Sequence, residues 1–133
     1  MNTVRRALVA ASMTLLVTCK GDTGPTAGLL KVNLTTPNSG LDGAAVVVLS
    51  APLAPGAVTP GAGLALWGGP VTTATAKVAL TGTLSTGTIL TLQVDDVNKV
   101  SQYSATLQQV AATSGGGFLV RPSLTGYSLA VTR

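Results

Sequence analysis

From Leu30 the chain alternates. Leu30, Val32 and Leu34 are separated by Lys31, Asn33 and Thr35, a period of two that turns one face inward and leaves the other in water. The same period returns at Ala76, Val78 and Leu80, at Leu90, Leu92 and Val94, at Tyr103, Ala105 and Leu107, and at Tyr127, Leu129 and Val131. It slips at Gln108-Gln109 before Val110, which reads as a β-bulge, with a helical turn as the alternative. Ala44 to Leu49 (AAVVVL) is continuously apolar and too short for a helix, so it fits a central strand covered on both faces. Leu64 to Trp67 and Phe118 to Leu124 add two further short strands.

The punctuation agrees with strands. Pro37-Asn38-Ser39-Gly40, Asp42-Gly43, Gly68-Gly69-Pro70 and Ser114-Gly115-Gly116-Gly117 are turn signals. Ser85-Thr86-Gly87 is a short connection, which predicts a hairpin between the strands on either side. Ser50 to Gly63 carries Pro52, Pro55 and Pro60 and reads as a long loop or a broken edge. Asp95 to Gln102 (DDVNKVSQ) reads as a polar loop. Seven or eight short strands with no helix after the N-terminal segment predict an all-β, immunoglobulin-like β-sandwich over 29–133.

The N-terminus has a different pattern. Arg5 and Arg6 precede Ala7 to Val17, an uncharged and largely apolar run of eleven residues. A positive start and a short apolar segment are the parts of a secretory signal peptide. A membrane-crossing helix needs about 20 apolar residues, and Lys20 and Asp22 end this run well before that. The closing Leu16-Val17-Thr18-Cys19 resembles the lipobox of bacterial lipoproteins, with Thr18 where Gly, Ala or Ser is usual. The resemblance implies cleavage after Thr18, an acyl-bearing thioether on Cys19 and retention at a membrane by lipid. The implied organisation is a signal peptide over 1–18, a lipidated Cys19 with a flexible tether over 19–28 (Gly-, Thr- and Pro-rich), and the sandwich beyond. Export to the cell envelope follows, at the outer membrane or its periplasmic face. A plain secreted sandwich is the alternative.

Within the mature part, Leu80 to Val94 is similar to the late strands of cohesin-type sandwiches, over about fifteen residues of β-alternation. That likeness implies a protein- or carbohydrate-binding adhesion module and brings no binding residue with it. The closing Gly126-Tyr127-Ser128-Leu129 also resembles small bacterial lipoproteins.

Composition narrows the chemistry. Outside Arg5 and Arg6, six cations meet four aspartates, and the cations are scattered singly, so no nucleic-acid partner is expected. One cysteine rules out an intramolecular disulfide. The chain has no His and no Glu. Ser-His-Asp, Cys-His and His-bearing zinc sites are therefore impossible. Acid–base chemistry would fall to Asp22, Asp42, Asp95 and Asp96, and adjacent residues such as Asp95 and Asp96 point to opposite faces of a strand. The expectation is a non-catalytic module without a cofactor, with an envelope protein or a polysaccharide as the class of partner.

Two further features invite a site. Asp95, Asp96 and Asn98 are the densest set of side-chain oxygens, offering a calcium loop or a turn whose side chains cap their own backbone. Trp67 is the only tryptophan, on the parity opposite to Leu64 and Leu66. It reads as a packing residue at the sandwich rim, with ligand contact as the alternative. Phe118, Tyr103 and Tyr127 all read as inward-facing.

Overall fold

A computed structural model describes residues 24–68 and 71–133. The expected β-sandwich is the architecture, with nine strands among the described residues. They are β1 (Gly28–Thr35), β2 (Asp42–Ser50), β3 (Val58–Pro60), β4 (Ala65–Trp67), β5 (Thr75–Leu84), β6 (Gly87–Val94), β7 (Ser104–Ser114), β8 (Gly117–Val120) and β9 (Ser128–Thr132). One sheet has the order β3-β6-β1-β9 and the other β4-β5-β2-β7-β8. All pairings are antiparallel.

The period-two residues form the core. Leu30, Val32 and Leu34 from β1 and Leu90, Leu92 and Val94 from β6 meet Ala45, Val47 and Leu49 from β2, Val78 and Leu80 from β5, and Val110 from β7. None of the buried core side chains is aromatic, so cohesion rests on aliphatic area removed from water. The bulge expected at Gln108-Gln109 is present: Val46 pairs with Gln109 and Val47 with Leu107, leaving Gln108 unpaired.

Three expectations change, and one open choice is resolved. The Ser85–Gly87 connection does not close a hairpin, because β5 and β6 lie in different sheets. It is an arch beside a second arch, the link from β1 to β2. The Thr86 N–H donates to Ser39 Oγ, the Thr36 N–H to Thr86 Oγ1, and the Gly40 N–H to the Leu84 carbonyl. Burying Leu84 and Ile89 in the interior outweighs local turn closure. The proline-rich loop contributes an edge strand, β3. The Asp95–Gln102 loop contains a short 3₁₀ segment, Val97–Gln102. Strand β2 is central, but it is covered on one face only: Val47 is fully buried, whereas Ala44, Val46 and Val48 on the opposite face are half-exposed.

Asp42 is the fourth departure. It is no turn residue: it opens β2 at 1% exposure. Arg121 reaches its Oδ1 through Nη2 at 2.7 Å and Nε at 2.8 Å. The Tyr127 hydroxyl donates to Oδ2 at 2.5 Å, and Asn38 Nδ2 donates to the Tyr127 oxygen at 2.8 Å. A buried carboxylate is tolerated only when its charge and lone pairs are met in this way. The bond to Asp42, followed by the attraction of its charge, holds the Arg121 guanidinium protonated beyond its usual range.

Removing one partner should be costly. Tyr127→Phe deletes a hydrogen bond to a charged group and is expected to cost about 1.5–3 kcal/mol. Asp42→Ala, which strands both the phenol and the guanidinium, should cost more. Val47→Asp, which places an unpaired charge in the interior, should prevent cooperative folding. Urea unfolding followed by far-UV circular dichroism checks the series; an unchanged midpoint for Tyr127→Phe would remove the network from the stability account.

Candidate functional site: the outer face of the five-stranded sheet

The two solvent-facing surfaces of the sandwich are unlike. On the four-stranded sheet the outward residues include Leu29, Lys31 and Asn33 from β1, Thr88, Thr91 and Gln93 from β6, and Ser128, Ala130 and Thr132 from β9, with Leu29 58% exposed. Asn33 accepts from Thr88 Oγ1 and donates to Thr132 Oγ1, so apart from Leu29 and Ala130 this surface is polar, and its middle is bonded to itself. On the five-stranded sheet the floor is Ala44, Val46 and Val48 of β2, with Ala79 of β5 and Ala111 of β7. Its only charge among the described residues is Lys77.

Small side chains make this floor low. A depression of about 110 Å³ lies over it, bounded by Thr81, Gln109 and Val120. An aromatic ring stands at each side. Trp67 closes β4, pairs with Ala79 and is 58% exposed; its Nε1–H donates to Thr81 Oγ1 at 2.8 Å. Phe118 on β8 is 59% exposed and pairs with Thr113. Four inter-strand steps put β4 and β8 about 19 Å apart.

Trp67 is therefore not packed into the rim; it lies on the outer face as its parity against Leu66 requires. Phe118 also departs from expectation, because its ring lies outward over Gly43. A Cβ on Gly43 would come within 2.9 Å of Phe118 Cε1 and would collide with Thr113 Oγ1. Glycine is what lets the ring settle there. Phe118 was hidden in the sequence because the Gly115-Gly116 turn, with φ of 55° and 83°, sets the register of β8 against β7. The only local trace of this face is the unbroken AAVVVL run, which makes both faces of β2 apolar without saying which one is covered.

One side-chain oxygen of the Asp95–Asn98 loop, Asp96 Oδ1, is used internally. Asp96 Oδ1 accepts the Asn98 N–H at 3.0 Å, capping the 3₁₀ segment, and the Thr26 N–H at 3.2 Å. The Val97 N–H donates to the Thr26 carbonyl, and Asn98 Nδ2 to Thr26 Oγ1. Asp95 is exposed, and no group of three acidic, His or Cys residues that could hold a metal occurs among the described residues. The cluster thus acts as a clamp: it fastens the segment that leads into β1, at Thr26, to the rest of the domain. Cys19 and residues 1–18, read from the sequence as a signal peptide, lie outside the described residues.

Comparison with protein-family models, with curated proteins and with solved structures finds no match.

Two predictions follow from this geometry. The N–H donors of Thr26 and then Asn98, helped by Lys99, hold the Asp96 pKa below its ordinary 3.8. A carboxylate whose folded pKa is lowered contributes stability above its unfolded pKa and loses that contribution as pH falls through the folded value. The Thr26 and Asn98 amide resonances should therefore hold steady from neutral pH and shift only below about pH 4; a midpoint above that value would contradict the clamp. For Trp67, native fluorescence should already be red-shifted, and Trp67→Ala should cost only about 1 kcal/mol, the worth of one hydrogen bond. A blue-shifted native spectrum with a large drop in stability would return Trp67 to a packing role.

Proposed function

We propose that this is an exported, lipid-anchored protein of the cell envelope whose sandwich is a non-catalytic binding module. The outer face of the five-stranded sheet carries the reading. An apolar, nearly uncharged surface with an aromatic ring at each side is costly to leave in water and is what a partner surface would cover. The other face, largely polar and bonded to itself at its middle, has less such need. The anchor rests on the Arg5-Arg6 start, the apolar run and the lipobox-like Leu16-Val17-Thr18-Cys19. Two or more acyl chains at Cys19 would hold the module stably, where one would hold it reversibly.

An envelope protein fits this surface better than a polysaccharide. Sugar hydroxyls need hydrogen-bond partners, and the floor of Ala44, Val46, Val48, Ala79 and Ala111 provides no side-chain donors or acceptors. Apolar protein side chains would lose nothing there. A single sugar unit cannot span two rings about 19 Å apart.

Intact-mass spectrometry of detergent-extracted protein tests the anchor. The mature chain should begin at Cys19 and carry added acyl mass, and Cys19→Ser should yield unprocessed or soluble protein with none. A mature species with an unmodified Cys19 would sink the lipoprotein reading and leave a secreted module.

A further inference from the structure

The four edges of the sandwich are not equally protected. Strands β3 and β4 are three residues long, and β3 ends in Pro60, which has no N–H to offer. The exposed residues of β9 are Ser128, Ala130 and Thr132. The fourth edge, β8, is Gly-Phe-Leu-Val with every residue exposed: Phe118 at 59%, Leu119 at 65% and Val120 at 53%. Three consecutive exposed apolar residues on a strand with one open edge are what sheets normally avoid.

The free backbone groups of β8 follow from its pairing with β7. The Arg121 N–H donates to the Val110 carbonyl, and Gly117 faces Ser114 across the tight turn. Hydrogen-bonded positions alternate along an antiparallel strand. Gly117, Leu119 and Arg121 thus point their backbone groups at β7, and Phe118 and Val120 point theirs away from the sheet.

We propose that β8 pairs antiparallel with β8 of a second copy of this chain about a two-fold axis through Leu119, joining two five-stranded sheets into one of ten. The register is self-complementary. Phe118 and Val120 exchange backbone hydrogen bonds with Val120 and Phe118 of the other copy, putting an aromatic ring opposite a β-branched side chain twice on the outer face. Leu119 meets Leu119 on the opposite side. Arg121 falls opposite Gly117, the one residue of the strand without a side chain, and its charge is already engaged by Asp42 in its own chain. Gly117 to Val120 carries no charge, so no repulsion arises at the axis. Pro122 ends the pairing. The interface is smaller than that of a permanent dimer, so association is reversible and concentration-dependent. It stands apart from the lipid anchor, since neither Cys19 nor a membrane enters it.

A cysteine placed at the axis tests this register. Leu119 and its symmetry mate form a non-hydrogen-bonded antiparallel pair, with Cα atoms about 4.5 Å apart, within the range a disulfide spans. In the full chain carrying Cys19→Ser, Leu119→Cys should oxidise to a disulfide-linked dimer that reductant returns to monomer. Phe118→Cys in the same chain should not, because its cross-strand partner is Val120. In parallel, the unsubstituted full chain in mild detergent should show a monomer–dimer equilibrium by sedimentation. Val120→Lys should abolish the dimer while leaving circular dichroism and melting temperature unchanged. The proposal is overturned by a chain that stays monomeric at every concentration, by equal cross-linking at 118 and 119, or by a dimer that survives Val120→Lys.

Discussion

A carboxylate at 1% exposure constrains the whole sandwich. Asp42 can be buried only if its charge is answered, and both of its main partners come from the far end of the chain, 79 and 85 residues away. Arg121 follows β8 of the five-stranded sheet, and Tyr127 precedes β9 of the four-stranded sheet. The last crossover between sheets therefore runs past Asp42 and is fixed to it at both ends. Asn38, in the arch from β1 to β2, extends the network into the first crossover. With no disulfide available and no aromatic residue in the buried core, this polar clamp supplies the directional order that aliphatic packing lacks.

The clamp also bears on what the molecule presents. Tying Arg121 down sets where β8 leaves β7, and so keeps Phe118 over Gly43 and Val120 beside the depression. The resulting surface has small aliphatic side chains in its middle and rings at its sides. The opposite face carries mostly Asn, Thr, Gln, Ser and Lys at its outward positions, with Leu29 its one large apolar side chain among the described strand residues. An asymmetry of this kind costs solubility in a free monomer. It is consistent with a module that works against another protein surface, whether a partner's or its own copy's.

The segment before β1 is joined to the sandwich by a separate device. Asp96 accepts from Thr26 and Asn98, so the chain enters β1 at a fixed point rather than trailing from it. For a domain held at Cys19, only the few residues before Thr26 would remain to set its distance from a lipid surface.

The alternation of Leu30, Val32 and Leu34 and of Leu90, Leu92 and Val94, together with the Gly and Pro punctuation, determined by itself that the chain is a β-sandwich. It also located the bulge at Gln108-Gln109, because a slipped period is visible locally. The missing His and Glu likewise removed whole classes of chemistry without any structure. Three matters were decided only by the tertiary structure. A two-residue link such as Ser85-Thr86 can close a hairpin or arch between sheets, and burial of Leu84 and Ile89 at a distance chose the arch. Asp42-Gly43 has the letters of a turn, and only the arrival of Arg121 and Tyr127 from the other end of the chain made it a buried charge. The continuous AAVVVL run could not say which of its faces was covered. That depends on whether another layer lies over the sheet, a long-range fact with no local signature, and the face left open is the one that became the candidate site.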